Sequence, residues 1–411
     1  MGSTRGVAGV ARIIVIGGGT AGTAAALALH RAGFDVTVHE AHPDSAEDIG
    51  AFLTLATNGL RALAQFDAVS AVTSVGFPLT TLRVLDGTGT ELARRPLAGV
   101  QDPLLPYRCL RRGELNAALQ SEAARRGIDV RHGARLASVE DGPDDVTVRF
   151  TDGSTATGDL LIGADGLNST VRRTIAPAVD PRYSGEHVLY GYTTEAPVAG
   201  PTDLFTLIRG SAAAFGYAVS PAGETYWFAR VSGDPLSAED LANGTPARWR
   251  DLLLPLLRKD ATPAAGMVAA TTDSILVTNA TEMPPATPWR AGRALLIGDA
   301  AHAASPATGQ GASMALEDAV VLAKALRDAP DTESALTVYE TLRRPRVEHN
   351  IITSGRISRG AHSPATVRPG SLGGPGTTAA PVGDDDLVRQ LDWDTNLWTM
   401  VTDSSPAGDR G

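Results

Sequence analysis

The chain has 411 residues, 43% of them hydrophobic, with a formal net charge of −10 and one cysteine. That length holds two domains around a large core, and the negative charge argues against nucleic acid as a general partner. No apolar run reaches the ~18 uninterrupted residues of a membrane span, while the lone Cys109 excludes an internal disulfide and fits a reducing cytoplasm.

Residues 1–11 read as a loose start. Residues 13–16 are continuously apolar, as in a strand buried on both faces. Gly17, Gly19 and Gly22 then spell G-x-G-x-x-G. The first glycine permits the tight turn, the second lets backbone approach a pyrophosphate, and the third lets helix pack on strand. Thr20 and Ala21 sit where a helix opens, so amides and the positive dipole end face the phosphates. Residues 24–29 favour helix, and Gly33 ends it. A strand at 35–39 delivers Glu40 eighteen positions past Gly22, near the ~20 expected of a ribose-binding acid. A carboxylate accepts bonds from ribose hydroxyls and repels a 2′-phosphate. The site therefore suits the adenosine of FAD or NAD rather than NADP, and this stretch alone does not choose between the two. Because the apolar segment contains the turn and runs into a second strand, it reads as fold and not as a leader.

Residues 48–55 read as a loop feeding a short amphipathic helix at 58–66. Strands at 81–85 and 90–93 flank Asp86-Gly87-Thr88-Gly89, a hairpin signal. A helix spans 112–126 with Leu115 and Leu119 on one face, and strands follow at 130–139 and 146–150. A short buried strand at 160–162 runs into Gly163-Ala164-Asp165-Gly166. From 187 to 231 the pattern alternates, which predicts an antiparallel sheet. A helix at 246–257 and a strand at 274–277 precede a buried strand at 293–297. Long helices are expected at 311–326 and 333–351, a linker at 363–383 and a final helix at 385–400.

The run Arg293 to Ala319, RALLIGDAAHAASPATGQGASMALEDA, joins the first motif and Gly163-Ala164-Asp165-Gly166 in a fixed order. Together they make the chain resemble the FAD-dependent aromatic hydroxylases, the single-component class A flavoprotein monooxygenases, over about residues 13–346. The resemblance implies an α/β fold: a Rossmann-like FAD-binding domain, an inserted antiparallel-sheet substrate domain and a helical C-terminal segment. The expected boundaries are 1–79, 106–177 and 281–350 for FAD, 80–105 and 178–280 for substrate, and 351–411 for the tail. By resemblance Asp299 accepts from the ribitol chain and Arg112 pairs with FAD phosphate. Asp165 lies near the pyrophosphate, with a plain turn acid as its alternative. The loop holding Pro306, Gly309, Gly311 and Ala312 lies against the flavin ring, where amides stabilise negative charge. The family often has asparagine where Ser313 stands, and an arginine where Ala41-His42-Pro43 follows the ribose acid. His302 reads as a structural hydrogen-bonding group, with acid or base as the alternative.

The activity implied is oxygenation of an electron-rich aromatic or heteroaromatic small molecule. NADH or NADPH reduces FAD, O2 adds, and a flavin C4a-hydroperoxide gives up its distal oxygen. Tyr190, Tyr192, Phe215, Tyr217 and Trp227 are the expected substrate-facing aromatics, with a core role as the alternative for each. No general base is named, and His and Cys lack metal-ligand spacing. Partners are the substrate and O2, with no nucleic acid and no membrane, in a monomer or homodimer. A flavin reductase or dehydrogenase without oxygen insertion is the alternative. A halogenase is disfavoured because Trp-x-Trp-x-Ile-Pro is missing, and a plain nucleotide-binding protein leaves the 298–311 motif without a purpose.

Overall fold

The structure is a computed structural model that describes residues 12–45, 50–97, 105–195, 200–360 and 384–404. The expected loose start at 1–11 and the linker at 363–383 lie outside the described residues.

The apolar run becomes the strand Arg12–Ile16 in a six-stranded sheet. Across it lie Arg290–Ala291, Ala294–Leu296, Leu160–Gly163, Arg12–Ile16, Asp35–His39 and Asp129–Arg131, in that order. All pairs are parallel except the edge pair at 290–295. Parallel strands are covered on both faces, which is why Ile13, Ile14, Val15, Leu160, Leu161 and Ile162 are all buried. Each such side chain contributes about 1.5–3 kcal/mol by leaving water. The helix Thr20–Arg31 packs on one side, its Ala24, Ala25, Ala26 and Ala28 allowing the close approach of the helix Gly311–Asp328.

A seven-stranded sheet forms the other half. Its order is Ile275–Glu282, Arg182–Thr193, Thr225–Ser232, Ala214–Val219, Leu204–Arg209, Thr81–Asp86 and Glu91–Pro96. The expected hairpin at 81–93 therefore joins the sheet of 187–231, and it does so through one parallel pair, Leu204–Arg209 with Thr81–Asp86. The sheet is mixed rather than wholly antiparallel. One face is covered by the helices Pro246–Leu257 and Ala264–Ala270, the other by the small sheet Phe52–Leu55, Tyr107–Arg111 and Phe77–Leu79.

Several local differences from the sequence reading have simple causes. The expected strand at 130–139 is two strands, Asp129–Arg131 and Leu136–Asp141, because Gly133 turns the chain at φ +74°. The loop at 48–55 ends in the strand Phe52–Leu55, which pairs with Tyr107–Arg111. The helix expected at 333–351 runs as Thr332–Gly360, through Pro345. The final helix is broken into Asp384–Leu391 and Leu397–Ser404. Asn396 caps the second piece by accepting from the Thr399 amide at 2.9 Å, and the Lys324 ammonium donates to the Gln390 carbonyl at 2.6 Å and to that of Asp392 in the gap.

Candidate active site

The glycine turn owes its shape to crowding. Gly17 has φ +106°, and a Cβ there would lie 2.3 Å from the Ala164 carbonyl oxygen; one on Gly22 would lie 1.9 Å from that of Gly17. Gly19 is different, since a Cβ there would meet nothing within 4 Å. It faces a cavity of about 330 Å³ instead. The same openness holds at Gly311, at the start of the helix Gly311–Asp328. Neither of these two helices has a side-chain cap, so their first amides remain free to meet a ligand.

One wall of the cavity gathers Gly19, Thr20, Ala21, Arg112, Asp299, Pro306, Gly309, Gly311 and Ala312. The Arg112 and Asp299 side chains are exposed and make no hydrogen bond or ion pair among the described residues. Gly309, at φ +67°, reverses the loop between Pro306–Thr308 and the helix. Thr20 spends its hydroxyl on Asn116 Oδ1 at 2.8 Å. These features, open glycines beside uncapped helix starts with a free cation and a free carboxylate, fit a phosphorylated dinucleotide carrying a polyol.

Two acids from the sequence reading sit outside this wall. Glu40 accepts from the Gly18 amide at 2.5 Å and from the His42 amide at 2.7 Å. Each oxygen keeps a further lone pair for a hydroxyl. Asp165 accepts from Ser169 Oγ at 2.5 Å and from the Thr170 amide at 2.6 Å, at the start of the helix Thr170–Ile175. Its neighbours Ala164 and Gly166 line the cavity.

Behind the loop lies a buried ionic network that motif reading missed. Arg343 reaches Glu317 at 2.6 Å and Asp318 at 2.8 Å, and Arg346 reaches Glu317 at 2.7 Å. Asn58 donates to Glu317 at 2.7 Å and to Gln310 at 3.1 Å. Burial alone would push the Glu317 carboxyl up, but the Arg346 and Arg343 charges overrule it and hold it at about 2. Asp318 is likewise held at about 2 against burial, by His302 and Arg343. Asp318 accepts from His302 Nε2 at 2.6 Å and from the Gly298 amide at 3.0 Å. His302 thus braces the turn that presents Asp299, and lies against Trp289 with ring centroids 5.5 Å apart. The signal in the sequence was the Glu317-Asp318 pair and the Arg343 to Arg346 cluster, which only the packing of two helices joins.

The opposite cavity wall is the seven-stranded sheet. It presents Tyr190, Phe205, Leu207, Phe228 and Arg230, with Phe52 and Leu53 beside them. Tyr190 and Phe228 are register partners and share this face. Tyr192 is on the same face but outside the cavity, its ring under the Arg111 guanidinium at 4.3 Å. Phe215, Tyr217 and Trp227 lie on the other face, buried with Trp249, Leu253 and Met267. Trp227 pairs with Gly191 and so points away from Tyr190, and its Nε1 donates to Thr271 Oγ1 at 2.9 Å. Side chains alternate along a strand, so one register step separates cavity from core. Period-2 alternation in the sequence identified the strands, but the covered face depended on where the helices at 246–270 docked.

The family model for the FAD binding domain matches residues 10–354. The chain is 31% identical over 360 residues to the aurachin C monooxygenase/isomerase of Stigmatella aurantiaca, covering 84% of this chain and 88% of that one. It is 32% identical over 351 residues to the FAD-dependent urate hydroxylase of Klebsiella pneumoniae, covering 83% and 88%. The solved structure of Klebsiella pneumoniae HpxO complexed with FAD and uric acid superposes with a TM-score of 0.77 at 29% identity, over 86% of this chain and 90% of that one. These relatives are monooxygenases and hydroxylases, which favours the oxygenase over the reductase alternative. With its motifs in order along one cavity wall, the chain belongs to the FAD binding domain family and, within it, to the FAD-dependent aromatic hydroxylases, as an FAD-dependent monooxygenase.

Proposed function

We propose that this enzyme inserts one oxygen atom from O2 into an electron-rich aromatic or heteroaromatic small molecule, using NADH or NADPH as transient reductant. The observation that carries the reading is the single cavity that runs from the glycine turn to the aromatic face of the sheet. FAD, when bound, supplies the redox and oxygen chemistry. The chain's own residues bind, orient and exclude water.

In this reading the segments 1–79, 106–177 and 281–350 hold FAD, and 80–105 with 178–280 hold the substrate. The open backbone at Gly19 and the helix start at Thr20 and Ala21 would receive the pyrophosphate together with Arg112. Glu40 takes the adenosine ribose and Asp299 the ribitol. Gly309, Gly311 and Ala312 would hold the ring, where the helix start favours negative charge. Tyr190 and Phe228 bound the substrate, and burial raises the Tyr190 phenol above its ordinary pKa, so it stays a neutral donor. Pro306 and Ser305 close the cavity between the two walls. The enzyme works in the cytoplasm as a monomer or homodimer.

The test is NAD(P)H and O2 consumption by the yellow holoenzyme, with hydrogen peroxide counted, over phenols, indoles and polycyclic quinones. The expected result is one compound class that speeds NAD(P)H oxidation while peroxide falls short of the O2 consumed. If peroxide accounts for all the O2 with every compound, the oxygenase reading fails.

A further inference from the structure

Arg230 and Glu186 stand side by side on the cavity face of the seven-stranded sheet. Val188 is the register partner of Arg230, which makes Glu186 its diagonal neighbour on that face. Their side chains are 7% and 0% exposed, and Arg230 Nη1 lies 3.6 Å from Glu186 Oε1. That is an ion pair but too long for a hydrogen bond. Arg230 Nε and Nη1, and Glu186 Oε2, have no hydrogen-bond partner among the described residues. Glu186 Oε1 accepts from Ser358 Oγ at 2.7 Å, and the Ser358 hydroxyl also meets that of Ser305 at the foot of the flavin-facing loop. A buried guanidinium with unspent donors is costly unless something accepts from it. Arg230 is a wall of the cavity, beside Tyr190 and Phe228.

We propose that Arg230 recognises the substrate by donating to a carbonyl or phenolic oxygen on the rim of an aromatic ring, and that Glu186 makes the site reject carboxylates. The proposal rests on the oxygenase reading only in calling the ligand a substrate. Its charge argument is independent. Glu186 already balances the guanidinium, so a neutral acceptor takes a donor on the cavity-facing edge of Arg230 without adding charge to a site of low dielectric. A carboxylate would bring a second negative charge beside Glu186, and the pair would repel. The apolar neighbours Phe205, Leu207 and Phe228 suit a flat ring rather than a solvated chain. The substrate class is thus a hydroxylated or oxo heteroarene without an acidic group on the edge that Arg230 reads.

The experiment titrates the FAD-loaded full chain with quinoline, 4-hydroxyquinoline and quinoline-4-carboxylate, following the flavin absorbance difference. For the natural sequence 4-hydroxyquinoline binds about tenfold or more tighter than quinoline, and the carboxylate is the weakest of the three. Arg230→Met removes the preference for 4-hydroxyquinoline and leaves quinoline within about twofold. Glu186→Gln raises carboxylate binding by about tenfold, a gain that a purely structural glutamate would not give. The double variant Glu186→Gln/Arg230→Met leaves no buried charge unpaired, so it stays folded where a single change fails, and it binds 4-hydroxyquinoline and quinoline alike. Equal binding of these two probes by the natural sequence, or of none of the three, overturns the proposal, as does an unchanged preference in the double variant. Failure of the oxygenase reading shows elsewhere, as O2 fully recovered in peroxide with the binding preference intact.

Discussion

The two faces of the seven-stranded sheet carry similar residues and have opposite tasks. On the helix-covered face Phe215 and Trp227 stack with centroids 5.6 Å apart, Trp227 donates to Thr271, and Tyr217 accepts from Arg83. On the cavity face Tyr190, Phe205 and Phe228 bound open space, and Arg230 keeps donors in hand. Where packing and hydrogen bonding are complete, the residues serve stability. Where they are left incomplete beside a cavity, they are available to a ligand. The same division holds at the dinucleotide end, between the sealed strand ends and the open wall at Arg112 and Asp299.

The sharpest way to break the comparison is to hollow out the sealed face. Trp227→Ala is expected to cost about 3–5 kcal/mol of stability in urea denaturation, while the protein that remains folded keeps its FAD content. A large loss of flavin without a loss of stability would erase the distinction between the faces. The sealed strand end at His39 offers a pH test of smaller size. His39 is buried, stacked on Phe150 at 4.6 Å, with neither ring nitrogen hydrogen-bonded among the described residues. Burial first, and then the Arg131 charge, lowers its pKa from 6.5 to about 4. Between those values the unfolded chain takes up a proton that the folded chain refuses. Stability therefore falls as pH drops from 6.5 towards about 4, by roughly 3 kcal/mol, and levels off below. In His39→Phe the part of the pH slope owed to this group disappears, which thermal melts over that range would read.

On the open side the effects belong to binding. Asp299→Ala is expected to weaken FAD about tenfold by equilibrium dialysis, with a melting temperature of the apoprotein close to that of the natural sequence. A small change in stability is expected for Phe228→Ala, whose ring is only half-buried: about 1 kcal/mol or less, beside a several-fold rise in substrate KM. If Phe228→Ala destabilises as much as Trp227→Ala, the cavity face is ordinary core.

Much of the half built on the six-stranded sheet was legible in the chain because its logic is local. Three glycines between a buried strand and a helix are required by contacts within a few residues of turn, and a Cβ at Gly22 has no room beside Gly17. Asp299 and the loop to Gly311 follow the same strand-turn-helix grammar. Asp165 shows the limit. Its motif was visible, but whether the carboxylate reached ligand or backbone depended on the short helix Thr170–Ile175 folding over it.

The seven-stranded sheet was legible only as strands. Alternation marked the sheet, yet Tyr190 and Trp227 looked equivalent, since period 2 assigns residues to faces without saying which face is covered. Docking of the helices Pro246–Leu257 and Ala264–Ala270 decided that. The meeting of Glu317 with Arg343 and Arg346, and of Glu186 with Arg230, likewise had no local trace. Sequence by itself determined the α/β class, the glycine turn after the first strand and the glycine loop at 306–311, because backbone sterics and short spacing leave few alternatives there. Only the tertiary structure decided which aromatics face the cavity and which charges pair, because those follow from long-range packing that brings distant segments within a few ångströms.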